Sequence, residues 1–263
     1  WMRLVGHRGA SAVRPENTLC AFEEALQRSD GFEGDVQLLA DGTLVVAHDD
    51  TLSRTGGGRW WRWLVAPRTA WLLERPLNAL RWTDVRDLDV GSSFCADFAS
   101  ERIPLFERCL ATAGDSLFFA ELKVPTRRAD PQLPKRLAAA AHAALESSSS
   151  GGKNLTWLSF NVEALLELQR LASPQPAFYL VVAKTEAAAM RAAALVVQHG
   201  LAGLDLNADL AVVTKQLVDY LHDHGKLVAV WVDADPAAND TPDMRRRMQQ
   251  LHVDFFTSNL PDE

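Results

Sequence analysis

From residue 103 to its end the chain alternates short apolar segments with helical segments, and this alternation constrains the fold more than any other feature. The apolar segments have the length of β-strands, and several of the segments between them begin or end with residues typical of helix caps. Helices between consecutive strands favour a parallel sheet, because a parallel pair needs a long crossover. The predicted strands are 116–123, 155–160, 177–183, 201–207, 226–232 and 253–257, and the predicted helices are 103–113, 133–146, 162–171, 187–199, 214–224 and 242–251.

The N-terminal part adds two strands and a hairpin to this pattern. Residues 4–6 and 32–39 are predicted strands, and the helix between them begins near Asn17 or Thr18, either of which can cap it. Asp41-Gly42 predicts a tight turn that returns the chain through a strand over residues 44–48. With this hairpin taken as an arm of the second strand, eight parallel strands remain. The sequence therefore predicts a single TIM (β/α)8 barrel over residues 1–263, with its active site at the C-terminal strand ends.

Residues 50–102 interrupt the alternation and are predicted to be an insertion after the second barrel strand. The segment holds five of the eight tryptophans, and it is too short and too loosely patterned to bury a core alone. Tryptophan and arginine together suit three roles: a lid over the barrel mouth, an oligomer contact, or a weak interfacial contact with lipid head groups through Trp60–Trp63. The lid is the favoured interpretation.

Composition narrows the classes of partner. The formal net charge of −7 argues against a nucleic-acid binder but allows a local positive pocket for one phosphate. No apolar run reaches the roughly 20 residues of a membrane span, and the first residues lack signal-peptide anatomy, so no stable membrane anchor is expected. Three cysteines without paired spacing indicate neither a disulfide framework nor a zinc site. We therefore expect a cytoplasmic location, and the oligomeric state stays open.

Two carboxylates mark the centre of the predicted site. Glu33 and Asp35 are two apart on a strand and therefore share one face. Their apolar neighbours Phe32 and Val36 predict limited exposure, which makes unpaired carboxylates costly. A hard cation or a strong positive partner would stabilise them, whereas a solvated strand edge is the alternative. Asp205 and Asn207 form a second pair of this spacing, and Asn207 is expected near the barrel mouth.

The order of several motifs resembles the glycerophosphodiester phosphodiesterase family. The motifs are His7-Arg8-Gly9, Pro15-Glu16-Asn17-Thr18, the E-x-D of Glu33 and Asp35, His48-Asp49, Ile103-Pro104-Leu105, the E-x-K of Glu121 and Lys123, Ser159-Phe160, and Val230-Trp231-Val232. They span nearly the whole chain. Each motif alone is weak evidence for the family, but their combination in this order is specific. The resemblance implies a metal-dependent hydrolase that converts small glycerophosphodiesters to glycerol 3-phosphate and an alcohol.

The resemblance also implies roles for individual residues. Glu33, Asp35 and Glu121 would hold one divalent cation, Mg²⁺ or Ca²⁺, while Arg8 and Lys123 lie near the phosphate. His7 and His48 would do acid–base work, since the pKa of imidazole suits proton transfer near neutral pH. We expect His7 to be the general base and His48 the general acid, with the glycerol 2-hydroxyl or a water attacking phosphorus.

Simpler interpretations stand beside these roles. His7 alone could satisfy a backbone carbonyl, and Glu121 with Lys123 could be a same-face ion pair. Ser159 and Trp231 are substrate contacts or only barrel lining, with Trp231 the favoured contact because an aromatic wall suits an alcohol group. Near the end, Thr257-Ser258-Asn259 departs from the Thr-Asp or Thr-Asn of the family and places in doubt a helper carboxylate there.

Two alternative functions share the same residues. A phospholipase of the C or D type would keep the barrel and the cation but act on intact lipids. A non-catalytic barrel that binds a phosphate ligand would need lost catalytic groups, whereas both histidines and all three carboxylates are present.

Overall fold

The computed structural model describes residues 1–56, 67–125, 130–148, 152–232 and 240–261, with residues 67–69 described by their backbone alone. Within these described ranges nine strands form one sheet. They are β1 (Arg3–Gly6), β2 (Gly31–Leu38), β3 (Leu44–Val46), β4 (Leu117–Leu122), β5 (Leu155–Ser159), β6 (Ala177–Val181), β7 (Gly203–Asn207), β8 (Leu227–Trp231) and β9 (Phe255–Ser258).

Eight of these strands close into a parallel barrel. Their order is β1-β9-β8-β7-β6-β5-β4-β2, and β1 pairs with β2 through Val5 opposite Gly31 to complete the ring. Strand β3 lies outside the ring and pairs antiparallel with the C-terminal half of β2, with Val36 opposite Val46. The predicted TIM barrel with a hairpin arm is confirmed.

Helices cover the outside of the barrel. They are α1 (Leu19–Leu26), α4 (Phe106–Ala113), α5 (Leu133–Ser147), α6 (Val162–Arg170), α7 (Glu186–Gln198), α8 (Lys215–Asp223) and α9 (Pro242–Gln250), whereas α2 (Pro67–Leu73) and α3 (Trp82–Val85) lie in the insertion. Thr18, rather than Asn17, caps α1 by accepting from the Ala21 amide. Among the described residues no helix has both the length and the apolar character needed to cross a membrane.

The barrel interior is closed at its base by aromatic side chains. The interior holds Phe119 of β4, Phe178 of β6 and Phe255 of β9. No two of these strands are adjacent in the sheet, yet the ring centroids lie 5.1–6.1 Å apart. Contacts between such distant strands are made only across the interior, so these rings fill the base of the barrel. Above them the interior holds the polar residues described below.

The insertion shares a small core with the hairpin arm. Leu72, Leu77 and Val85 pack with Leu39 and Val45 of the hairpin in a hydrophobic cluster separate from the barrel cores. Sharing explains how a segment too short for its own core is held in place. The tryptophan-rich stretch that includes Trp60–Trp63 lies outside the described residues, and the lid, oligomer and lipid roles stay predictions.

Candidate active site

A cavity of about 360 Å³ opens at the C-terminal ends of the barrel strands. Most of the residues predicted for the site line this cavity, although they come from widely separated parts of the chain. They are His7, Arg8, Glu33, His48, Glu121, Lys123 and Trp231, joined by Asp49, Arg54, Leu158, Phe160, Leu180, Asp205 and Thr257.

Three buried carboxylates form one cluster. Glu33 and Asp35 lie on β2, and register places Asp35 opposite Glu121 of β4, so that carboxylate oxygens of the three lie within 4.8 Å of one another. Burial and the neighbouring negative charges raise the pKa of Glu33 well above its ordinary range. Burial likewise raises the pKa of Glu121 to about 7. Ionising all three buried carboxylates therefore calls for more positive charge than the neighbouring side chains supply.

The cluster fits a hard divalent cation. Carboxylate oxygens are the donors that Mg²⁺ and Ca²⁺ prefer, and three residues supply them from two adjacent strands. Glu33 Oε1 is buried and accepts no hydrogen bond from the described residues. An unpaired buried carboxylate oxygen is costly, and a bound cation would remove that cost.

Lys123 and Arg8 supply part of the missing positive charge. Lys123 Nζ lies 3.1 Å from Glu121 Oε1 and 3.4 Å from Asp35 Oδ1, so the same-face ion pair considered from the sequence is present within the cavity. Arg8 Nε lies 3.6 Å from Asp35 Oδ2. Although burial opposes the change, these two cations lower the pKa of Asp35. Asp35 is therefore the most firmly ionised member of the cluster.

Backbone conformation helps to aim the first loop at the cluster. Arg8 has a φ of 56°, uncommon for a residue other than glycine, and its amide donates to Glu33 Oε2 at 2.9 Å. Asn17 has a φ of 55°, and its side chain donates to Asp35 Oδ2 at 2.7 Å. Strained backbone that persists at such contacts is typical of functional loops.

His7 is buried at the end of β1 and is held by a residue from the other end of the chain. Its Nδ1 lies 2.9 Å from Oδ1 of Asn259, which also accepts a hydrogen bond from Ser11 Oγ at 3.0 Å. The backbone N–H of Asn259 in turn donates to the buried Asp240 carboxylate at 2.7 Å. Burial, together with the charge of Arg8, lowers the pKa of His7 to about 4. His7 is therefore neutral near pH 7.

His48 has a charged partner instead of an amide. Its Nδ1 lies 2.7 Å from Asp49 Oδ1, and Arg54 Nε donates to the other oxygen of Asp49 at 2.7 Å. Arg54 also forms two hydrogen bonds with Glu16, at 2.6 and 2.7 Å. Although burial opposes the change, His48 and Arg54 lower the pKa of Asp49. His48 therefore faces a firmly ionised carboxylate.

Gln37 fixes the loop that carries His48. Its side-chain amide is buried and donates to the carbonyl oxygens of Ala47 at 2.7 Å and Asp49 at 2.8 Å, with a longer contact of 3.3 Å to that of His48. The Ala47 amide also donates to the Asp35 carbonyl oxygen at 2.8 Å. The hairpin thus returns His48 to the cavity that the carboxylates line.

Ser159 and Asn207, both considered as site residues from the sequence, form hydrogen bonds to the backbone. Ser159 is fully buried, donates to the Leu122 carbonyl oxygen at 2.8 Å, and is not among the residues that line the cavity. Its hydroxyl serves the backbone, so the prediction of a substrate contact has no support here. Asn207 accepts from the Ala183 amide at 2.7 Å and likewise serves the backbone.

The sequence indicates no catalytic or binding role for several residues that the fold brings to the site. They are Gln37, Arg54, Asp205, Thr257 and Asn259. Arg54 follows His48-Asp49 closely, and this spacing was an available signal. Asn259 carried no such signal, because only barrel closure brings it against a residue 252 positions earlier.

Residues 7–263 match the model of the glycerophosphoryl diester phosphodiesterase family. The chain belongs to this family. This match confirms the predicted glycerophosphodiester phosphodiesterase family, and it begins at His7, the first residue of the first motif.

Named relatives agree with the family assignment. A glycerophosphodiester phosphodiesterase of Bacillus subtilis strain 168 is 27% identical over 98% of this chain and 83% of its own length. Another, from Caldanaerobacter subterraneus subsp. tengcongensis, is 35% identical, but that match spans only 46% of this chain and 44% of the relative.

Solved structures share the fold of this phosphodiesterase-family chain. An Oleispira antarctica phosphodiesterase, solved in complex with the product sn-glycerol-3-phosphate, has a TM-score of 0.77 at 24% identity and covers 99% of this chain and 94% of its own. A glycerophosphodiester phosphodiesterase from Agrobacterium tumefaciens has a TM-score of 0.71 at 24% identity, covering 100% and 98%. These matches extend the TIM-barrel likeness over the whole chain.

Proposed function

We propose that this chain hydrolyses glycerophosphodiesters to sn-glycerol 3-phosphate and an alcohol, with one Mg²⁺ or Ca²⁺ held by Glu33, Asp35 and Glu121. One observation carries the proposal: in a member of this family, two histidines and two cationic side chains converge with the carboxylate cluster on one cavity. The product bound by the Oleispira relative agrees with the product proposed here.

Charge at the site suits a phosphodiester. The diester is anionic, and its displacement adds negative charge to the phosphoryl oxygens. A cation bound at the carboxylate cluster would stabilise that charge as a Lewis acid. Arg8 and Lys123 line the same cavity and add fixed positive charge, which acts strongly because both side chains are largely removed from water.

The partners of the two histidines support a division of roles. With Asn259 Oδ1 accepting from Nδ1–H of His7, the Nε2 of that neutral ring keeps its lone pair and can take a proton from the nucleophile. His48 donates its Nδ1–H to Asp49, and this hydrogen bond orients the ring so that Nε2–H can give its proton to the leaving alkoxide. We infer that His7 is the general base and His48 the general acid.

The decisive experiment measures ethanolamine release from glycerophosphoethanolamine with EDTA, and again after Mg²⁺ or Ca²⁺ is restored. We expect EDTA to abolish release and one of the cations to restore it. His7→Ala and His48→Ala should each lower kcat by roughly 10²–10⁴-fold. His252→Asn is the matched control, because His252 is exposed and precedes β9 at the opposite end of the barrel.

Three results would contradict the proposal: undiminished release in EDTA, normal turnover by His7→Ala, or no release at all. Intact phosphatidylethanolamine, assayed in parallel, separates the phospholipase alternative. Faster cleavage of the intact lipid than of the deacylated diester would favour that alternative.

A further inference from the structure

We propose that Asp205, with Trp231 and Thr257, forms a subsite on one wall of the cavity that recognises a hydroxyl group of the substrate's glycerol half. This inference rests on the proposed function and names the part of the substrate that binds at this wall. It assigns to Asp205 a role in substrate selection that is separate from the roles of the cation and the two histidines.

Unpaired polar atoms gather on one wall of the cavity. Asp205 Oδ1, Trp231 Nε1 and Thr257 Oγ1 are buried and have no hydrogen-bond partner among the described residues, and all three side chains line the cavity. They come from the consecutive neighbours β7, β8 and β9, where Trp231 pairs in register with Thr257. One unpaired buried group is costly, and three on one wall indicate that a ligand completes them.

Asp205 accepts a hydrogen bond from the Leu206 backbone, but its Oδ1 has no partner among the described residues. It is 1% exposed and forms no ion pair with any residue that the structure describes. Its neighbours in register are Leu180 and Ala229, so a leucine at position 205 would suit the surroundings better. A buried carboxyl kept in such a place is typical of a site that binds or reacts.

The chemistry of the wall matches a neutral hydroxyl rather than a cation. Burial, with the nearby charge of Glu121, raises the pKa of Asp205 well above its ordinary range and favours the protonated carboxyl. A protonated carboxyl can both donate and accept, as an alcohol can, and the Trp231 indole adds a donor. Leu158 and Leu180 supply apolar surface for a short carbon chain.

The position of the wall selects the glycerol half of the diester. In the ring of eight strands β7 lies opposite β2, so Asp205 faces the cavity from the side across from Glu33 and Asp35. A phosphate held at the carboxylate cluster then directs one substituent toward this wall and the other toward the mouth. Leu158 and Leu180 line the cavity and pack against the aromatic base, so the space beside this wall suits a short group such as the three-carbon unit common to all substrates of the class.

The test compares two diesters that share ethanolamine as leaving group. One carries glycerol, and the other carries propane-1,2-diol, which keeps the vicinal hydroxyl but lacks the terminal one. A site built to hydrogen-bond a hydroxyl rejects an analogue without it, so we expect wild type to prefer glycerol in kcat/KM by at least about 10-fold. Asp205→Leu should bring this ratio to within about 2-fold of unity, and Trp231→Phe should lower it in part.

Controls separate selection from folding. Thr156→Val changes another interior-facing polar residue, two positions from Leu158 on β5 and absent from the cavity wall, and should keep the wild-type ratio. Asp205→Leu should melt no lower than wild type, since it removes an unpaired buried carboxyl. A lower melting temperature with an unchanged ratio would mean a structural role and overturn the inference.

A binding measurement keeps the subsite testable apart from turnover. Thermal shift of wild type with sn-glycerol 3-phosphate is compared with that produced by propane-1,2-diol 1-phosphate. A larger shift with the glycerol ester, lost in Asp205→Leu, would support the subsite even if no diester were cleaved, which would refute only the proposed function. Equal shifts in both proteins, or a preference for phosphocholine that depends on Asp205, would overturn the subsite.

Discussion

At the residue scale, the two histidines differ chiefly in the side chain that each one faces. Asn259 is a neutral acceptor for His7, whereas Asp49 is an ionised acceptor for His48. The sequence places in doubt a helper carboxylate near residue 259, and in the structure the side-chain amide of Asn259 contacts His7 instead. An amide fixes the tautomer of His7 without adding a charge that would hold a proton on the ring.

Asn259→Asp should therefore move the acidic limb of the pH profile. A carboxylate beside His7 favours the protonated ring, so its pKa should rise from about 4, and the acidic limb of kcat/KM should shift to higher pH. Asn259→Ala should instead lower kcat by about 10-fold, because the ring loses its orienting partner.

Profiles of kcat/KM against pH for these variants test the point. Ser11→Ala removes the other hydrogen bond to Asn259 Oδ1 and serves as the control that keeps the amide. An Asn259→Asp profile that coincides with that of wild type would contradict the positioning role.

At the scale of elements, the hairpin of β2 and β3 is predictable but its anchoring is not. Asp41-Gly42 and the alternation around it indicate a turn, and the turn returns His48 to the cavity. Gln37 could not be recognised as the anchor, because a glutamine on a strand does not reveal which carbonyl groups will lie beside it. Its bonds to Ala47 and Asp49 form only when the hairpin is folded.

Gln37→Leu should impair the catalytic loop more than the barrel. Buried carbonyl oxygens at Ala47 and Asp49 lose their donor, which should lower the free energy of unfolding by about 1–3 kcal/mol. Displacement of His48 should also lower kcat, whereas a cation bound at the carboxylates should raise the melting temperature as much as in wild type.

Chemical denaturation and steady-state kinetics measure the two effects. Gln169→Leu is the matched control, since that glutamine makes one exposed hydrogen bond to the His199 carbonyl oxygen. Unchanged kcat in Gln37→Leu would mean that other contacts hold the loop.

At the scale of the whole molecule, the carboxylate cluster couples stability to cations and to pH. Folding brings three acids together in a buried site and raises the pKa values of Glu33 and Glu121. An acid whose pKa is higher in the folded state stabilises the fold below its unfolded pKa and loses that contribution as pH rises through the folded value.

Protein treated with EDTA should therefore lose stability as pH rises from about 4.5 to about 7, the window set by Glu121. The lowered pKa of Asp35 acts below this window. The lowered pKa of His7 acts within it and opposes the loss, but the raised pKa values of Glu33 and Asp205 add to that of Glu121, so the net change is a loss of stability. Mg²⁺ or Ca²⁺ should raise the melting temperature most at the upper end of the window, because the carboxylates are then ionised.

Thermal melts across this pH range, with EDTA or with each cation, provide the measurement. Glu33→Gln should melt higher than wild type in EDTA and respond weakly to cations. Glu167→Gln, a change of a glutamate outside the cavity, should keep the wild-type response. A cation effect that is independent of pH, or retained in Glu33→Gln, would contradict the coupling.

The barrel and the shared face of Glu33 and Asp35 can be derived from the sequence, whereas Glu121 joins them through the pairing of β4 with β2. Both follow from short-range rules, since strand–helix alternation sets the parallel ring and two-residue spacing puts Glu33 and Asp35 on one face. Tertiary structure alone decided the rest: Asn259 meets His7 only because β9 pairs with β1, and Asp205 faces a cavity while Ser159 serves the backbone. Such contacts join residues far apart in sequence. Local sequence patterns do not indicate which distant residues meet when the barrel closes.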